Sequence, residues 1–283
     1  MAAALEPRLL GLADREAAVR YLSRDAVANL FLLDLAANLG GRSVPGEART
    51  EIVAVWQNGE IVGMAGLHPT VILDAHADKE AIEAVIPYLK RIKVGLVKSL
   101  VPAADLLWEQ LSARRSRRVL VDRIEIAYAL NEGDWKPIEP AAAESVRHAR
   151  DGDLDDLVVA ARESLREEDR PDPFVGDAEG FRRWVRGRVA RARVVEIDGR
   201  VVMVGYADVQ RPEGWLLQGI YTWPDCRQRG LASFGVSELC REAFRAGADH
   251  VQLAVVEGNV AAQRLYESLG FTPFAKLRTI LFT

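Results

Sequence analysis

The chain has 283 residues, of which 49% are hydrophobic and 28% charged, proportions that exclude a disordered or fibrous protein and supply apolar material for two cores. A formal net charge of −4 gives no electrostatic reason to expect a nucleic acid or an anionic membrane as partner, and two cysteines are too few for a disulfide framework, which points to the cytoplasm. No stretch approaches the ~18 uninterrupted apolar residues of a membrane span, and Met1–Leu12 lacks the pattern of a secretory signal, so a soluble protein is expected.

In the first half, helical material opens near Asp14, and Ile52–Trp56 and Ile61–Ala65 flank Asn58-Gly59 as a β-hairpin. Gly66–Asp74 then leads to a helix around Ala81–Leu89 and a further stretch at Ala104–Leu111. The basic run Arg114–Arg118 has no interleaved aromatics and reads as a solvated turn before a strand beginning at Val119. Asn131–Pro140 combines Gly133, Pro137 and Pro140 with four charged residues, which marks a loop or linker. The expected division is residues 1–134, a linker at 135–143, and a second domain at 144–283.

The second half repeats the theme. A strand near Ser145–His148 precedes a helix at Leu154–Leu165, the charge-rich loop Arg162–Gly180 and a helix at Phe181–Val189. Val194–Ile197 and Val201–Tyr206 flank Asp198-Gly199, a second hairpin in the same relative place as the first. Trp215–Tyr221 reads as the next antiparallel strand, and Trp223-Pro224-Asp225 as a turn. Val236, Leu239, Cys240 and Ala243 then form a helical stripe that makes Cys240 a core residue, with Gly247 at its C-terminal cap. Val251–Val256 reads as a buried strand, Asn259 as the N-cap of a last helix carrying Ala262, Leu265, Tyr266 and Leu269, and Gly270 as its end. The chain finishes extended through Thr279–Phe282. The fold class is α/β (α+β), two units that are each a mixed, mostly antiparallel sheet flanked by helices.

Arg227-Gln228-Arg229-Gly230-Leu231-Ala232-Ser233 lies between a strand and a helix start. A glycine there lets backbone approach a ligand, the first-turn N–H groups present positive charge, and Arg227 and Arg229 add cations, which together suit a pyrophosphate. The stretch has neither the Gly-Lys-Ser/Thr ending of a P-loop nor a dinucleotide glycine spacing. The bland alternative is a basic turn before an ordinary helix.

Arg227, Gly230 and Ala232 match Arg/Gln-x-x-Gly-x-Gly/Ala, and Asn259–Phe271, with its Asn, Tyr and Leu-Gly-Phe ending, supplies a second ordered block. On these residues the chain resembles the GNAT superfamily of acyl-CoA-dependent N-acyltransferases over roughly Glu144–Thr283. Its whole layout resembles two-domain members whose first half is a degenerate GNAT-like domain. The resemblance implies acetyl-CoA as co-substrate, with the backbone of Ile220, Tyr221 and Thr222 pairing with the pantetheine arm. It also implies that the amides of Gln228, Arg229, Gly230, Leu231, Ala232 and Ser233 hold the pyrophosphate, with Asn259 at the pantetheine and Tyr266 near the thioester sulfur as proton donor. Seven residues on a helix return to almost the same face, so Asn259 and Tyr266 can address one ligand. Tyr266 is alternatively a core aromatic.

The expected reaction is direct attack of a primary amine on the acetyl carbonyl. Trp215–Tyr221 carries no carboxylate, which departs from members with a glutamate there, and Asp208 and Glu257 are the nearest acids by chain position. Each reads equally as a solvated charge. The acidic residues of Arg162–Gly180 would favour a cationic acceptor or be merely solvated. Cys226 has no nearby His to make a nucleophile, and His68, His76, His148 and His250 have no paired spacing for a metal. The alternative function is a non-catalytic acyl-CoA sensor, and a homodimer is left open. The first half lacks the Arg-x-x-Gly-x-Ala loop, so no acetyl-CoA is expected to bind there.

Overall fold

A computed structural model describes residues 4–41, 49–113, 116–139 and 145–283. The chain forms two compact units, the first from residues up to 41, 49–127 and 275–283, the second from 128–139 and 145–274.

Unit 1 begins with β1 (Glu6–Leu9), α1 (Arg15–Leu22) and α2 (Ala26–Ala37). β2 (Glu51–Gln57), β3 (Glu60–His68) and the two-residue β4 (Ile72–Leu73) follow, then α3 (Lys79–Leu89), β5 (Gly95–Leu100), α4 (Val101–Ser112) and β6 (Val119–Asn131). The strands β1-β2-β3-β4 are antiparallel neighbours. Both faces are covered, so the strands read as nearly continuous apolar runs rather than alternating ones. Ile52 and Ala54 of β2 pack with α1 and α2, whereas Val53 and Val55 pack with α3 and α4. The β2–β3 turn follows expectation, Asn58 and Gly59 both having positive φ, 52° and 82°. Of the basic run, Arg114 and Arg115 lie outside the described residues. Arg117 is not simply solvated, since it lies over Phe282 at 5.6 Å and donates to the Leu111 carbonyl.

Unit 2 contains β7 (Ser145–His148), α5 (Leu154–Glu167), the one-turn α6 (Pro173–Gly176), α7 (Ala178–Gly187), β8 (Ala192–Ile197), β9 (Arg200–Arg211) and β10 (Gly214–Thr222). α8 (Leu231–Arg245), β11 (His250–Val256), α9 (Val260–Ser268) and β12 (Thr272–Phe282) complete the chain. Its strand order is β7-β8-β9-β10-β11. α5 and α7 pack on one face through Leu157, Phe181, Val194, Val204 and Tyr206. Gly235 of α8 comes so close to β8 and β9 that an added Cβ would stand 2.6 Å from the Met203 sulfur.

The charge-rich loop is shorter than expected. α5 continues to Glu167, and α7 starts at Ala178 because the Asp177 carboxylate caps it by accepting from the Gly180 N–H. The first part of the expected linker is packed in unit 2. The Trp135 ring lies 5.7 Å from that of Phe244, and the Lys136 and Ile138 amides donate to the Leu269 carbonyl and Ser237 Oγ. Residues 140–144 of that stretch lie outside the described residues. Among the described residues no helix is long and apolar enough to cross a membrane.

The segment 275–282 of β12 completes unit 1, where it lies between β5 and β6 and pairs antiparallel with β5, Ile280 opposite Val97. Beside it on β6, Glu125 is 4% exposed, with Lys98 at 2.5 Å and Arg123 at 3.0 Å. Burial works against the charged form, but Lys98 and then Arg123 overcome it and hold the Glu125 carboxyl at about 2. An unfolded glutamate titrates at about 4.3, so this pairing stabilises unit 1 fully above that pH and is lost as pH falls towards about 2. Glu125→Gln is therefore expected to lower stability by about 3 kcal/mol at neutral pH and to flatten the acid limb between about pH 4.5 and 2, as read from urea midpoints against pH.

Candidate functional site

β10 and β11 run parallel but pair at only two positions, Trp215 opposite Val251 and Leu216 opposite Gln252. Beyond Leu216 no further pair joins them among the described residues. The pairing of β10 with β9 also slips between Gln218 and Tyr221, where Gly219 has φ 58°. Leu217–Thr222 thus has an edge without a strand on the β11 side. Because the two strands are parallel, the helices that follow them, α8 and α9, begin at the same end, the carboxyl end, where α/β sheets collect ligands.

The loop into α8 is built to present amides. Gln228 and Gly230 are both left-handed, at φ 59° and 80°. No heavy atom lies within 4 Å of where a Gly230 Cβ would stand, so backbone conformation rather than crowding calls for glycine. α8 has no side-chain cap, and its first bond runs from the Phe234 amide to the Gly230 carbonyl at 2.9 Å. The N–H groups from Gln228 to Ser233 have no hydrogen-bond acceptor among the described residues. Six amides without internal partners at a helix N-terminus, with alternating left-handed residues, are an arrangement whose chemistry suits an anion.

The two arginines behave differently. Arg229 is exposed and has no ion pair among the described residues. Arg227 instead turns back, its Nε donating to the Thr222 carbonyl at 2.9 Å and its Nη2 to Glu167 at 2.6 Å. The buried Tyr221 ring lies 5.5 Å from its guanidinium, and Ile220 packs inward beneath Gly205. On α9, Asn259 caps the helix by accepting from the Ala262 amide at 3.1 Å. Tyr266 is 7% exposed, with the Tyr128 ring at 6.4 Å and the Phe271 ring at 5.8 Å. Burial pushes its hydroxyl well above the usual phenol range, so it keeps its proton. That hydroxyl makes no hydrogen bond to another described residue. Tyr266 is thus a packed aromatic whose hydroxyl stays protonated.

Of the two acids nearest in sequence, Glu257 is exposed in the turn after β11. Asp208 is not solvated. It is 8% exposed in its side chain, held by both nitrogens of the Arg188 fork and within 3.6 Å of Arg191. Arg188 in turn lies 4.7 Å and 4.2 Å from the centres of the Trp184 and Tyr206 rings. Burial, with Asp208 nearby, takes the Tyr206 hydroxyl up to about 12 despite Arg188. The acidic character of the α5–α7 segment is offset by pairing: Glu163 with Arg166, Glu167 with Arg227, Glu168 with Arg170 and Asp172 with Arg162. Cys226 and Cys240 are both buried.

Sequence reasoning missed Glu167 as the partner of Arg227, and the slip in β10, for which Gly219 inside an apolar strand was the available signal. The corresponding end of unit 1 is different. Asp78 caps α3 through the Ala81 amide at 2.8 Å, filling that N-terminus with a carboxylate. Asp74, 1% exposed, accepts from the Met64 amide, the His76 amide and the Tyr21 hydroxyl.

Residues 154–271 match the profile described as the Acetyltransferase (GNAT) family. No curated protein matches the chain. Among solved structures, a Drosophila protein is similar with a TM-score of 0.75 at 14% identity, covering 98% of each chain. A GCN5-related N-acetyltransferase from Sphaerobacter thermophilus gives a TM-score of 0.58 at 18% identity over 98% of this chain and 95% of its own. A tandem GNAT protein from the clavulanic acid biosynthesis pathway gives 0.57 at 16% identity over 98% of each. These likenesses establish the shared fold.

Asp208→Ala is expected to cost unit 2 about 3–5 kcal/mol, because it leaves Arg188 buried without its carboxylate. Replacing both, as Arg188→Met with Asp208→Leu, should recover much of that loss in urea unfolding.

Proposed function

We infer, from the premise that residues 154–271 form a domain of the acetyltransferase (GNAT) family, that the chain transfers an acetyl group from acetyl-CoA to a primary amine of an acceptor in the cytoplasm. The observation that carries this reading is the run of six unpartnered amides, Gln228–Ser233, at the end where β10 and β11 stop pairing. A pyrophosphate supplies the acceptors these amides lack, and exposed Arg229 adds charge beside them. The edge of β10 along Ile220, Tyr221 and Thr222 is where main-chain groups would meet the amides of a pantetheine arm, the Thr222 carbonyl already accepting from Arg227. Asn259, whose Oδ1 is committed to the α9 cap, retains its amide N–H groups for the same arm.

In this reading the neutral amine attacks the acetyl carbonyl, the N–C bond forms, and the C–S bond breaks. Tyr266 gives its proton to the departing sulfur, and the proton that the nitrogen sheds on becoming an amide restores the phenol. No carboxylate stands on β10, Asp208 is committed to its arginines and Glu257 lies exposed in the turn after β11, so in this reading the amine arrives already deprotonated. In unit 1 the Asp78 cap occupies the equivalent helix N-terminus with negative charge, which supports a single acetyl-CoA per chain.

Gly230→Asp is expected to abolish acetyl-CoA binding in calorimetry while the protein stays folded, since it puts a carboxylate into the amide concavity. Unchanged affinity in the folded variant would remove the site.

Tyr266→Phe keeps the ring packing and removes the donor, so turnover should fall by about 10²–10⁴ with little change in cofactor affinity, measured as thiol release with an amine panel. The raised Tyr266 hydroxyl also predicts that turnover rises with pH as the amine deprotonates, with no downturn below about pH 10. Acetyl-CoA binding without thiol release for any amine would instead favour a sensor.

A further inference from the structure

Gln228 is a non-glycine residue held left-handed at φ 59°, and the amides that follow it have no internal partners. A loop of that kind relaxes unless something outside it fixes the backbone. Among the described residues two side chains tether the segment between β10 and α8: Asp225, held by both Nη atoms of Arg200, and, directly beside Gln228, Arg227. One arm of its guanidinium reaches the Thr222 carbonyl at the end of β10, and the other reaches Glu167, the last residue of α5. A cation at that position also meets the negative end of the α5 dipole. Both arms are engaged by acceptors of the protein itself, so the guanidinium acts on the loop through its own backbone and not by gripping an anion.

We propose that Glu167 is a positioning residue for the cofactor loop: its carboxylate holds Arg227, and Arg227 holds the Gln228–Ser233 amides in the arrangement that receives a pyrophosphate. The proposal rests on the reading of those amides as the acetyl-CoA site. The pair is partly exposed, at 41% and 46%, so its effect is modest. Glu167 also opens the segment Glu168–Asp172 that leads into α6, so the same contact ties the cofactor loop to the segment between α5 and α7.

The test is calorimetric titration of acetyl-CoA into the full chain and into Glu167→Gln, Arg227→Lys and the double variant. Lys replaces the guanidinium fork with a point charge and cannot serve both partners. Each single variant is expected to weaken acetyl-CoA by about two- to fivefold, and the double variant no further than either single one, because both remove the same tether. Glu167→Asp should restore part of the affinity. Tighter binding by Glu167→Gln would show that Arg227 is released to grip phosphate and would overturn the proposal, as would unchanged affinity or losses that multiply in the double variant. Failure of the unaltered chain to bind acetyl-CoA would overturn the reading of the loop itself, a result distinct from all of these.

Discussion

The geometry of unit 2 follows from two parallel strands that share only two paired positions. Parallel neighbours send their following helices to the same end, and strands that stop pairing leave main-chain donors and acceptors that something must satisfy. The slip in β10 at Gln218–Tyr221 and the left-handed Gly219 carry the strand away from regular pairing. The rest of the site depends on this opening. α8 can offer an uncapped N-terminus, and α9 can bring Asn259 and Tyr266 to the same end, because the strands feeding them share a direction and then cease to share hydrogen bonds.

The two units make different use of a similar frame. In unit 1 the isolated parallel bridge between Val71 and Val97 stands where unit 2 has its β10–β11 pair, but β4 is two residues long and the helix beyond it is closed by Asp78. Asp74 beside it is buried among three donors, and burial raises its carboxyl. A short strand exposes little edge, and the Asp78 carboxylate takes up the Ala81 amide and sets a negative charge at the start of α3. Unit 2 keeps a nine-residue β10 and leaves α8 without a side-chain cap. The two helix starts differ in the residue that precedes them, a capping Asp78 before α3 and a left-handed Gly230 before α8.

What could be read from sequence divides along the range of the forces involved. Asn259, the Asp198-Gly199 turn, the α8 stripe through Cys240 and the Gly230 loop are set by neighbours within a few residues, and their residue types announce them. Asn259 caps α9 and Asp198 is left-handed at φ 49°, as expected. The orientation of Arg227 was not legible, since it is decided by Glu167 at a separation of 60 residues. The fate of Asp208 likewise depends on Arg188, twenty residues away and flanked by two aromatic rings that periodicity assigns only to a core. Local chemistry names candidates, and tertiary partners decide what each is free to do.

The pairing of Ile280 with Val97 carries a consequence for how the protein comes into being. Unit 1 inserts residues 275–282 between β5 and β6, so its sheet is closed by a segment synthesised after all of unit 2. Until that segment emerges from the ribosome, β5 and β6 have an unfilled slot between them and Val97 lacks its partner. Contacts of such sequence separation slow folding, and an open strand edge invites wrong partners meanwhile. The first half of this chain is therefore the last to be finished, and a nascent chain halted between α9 and β12 would hold a complete α9 and an incomplete unit 1.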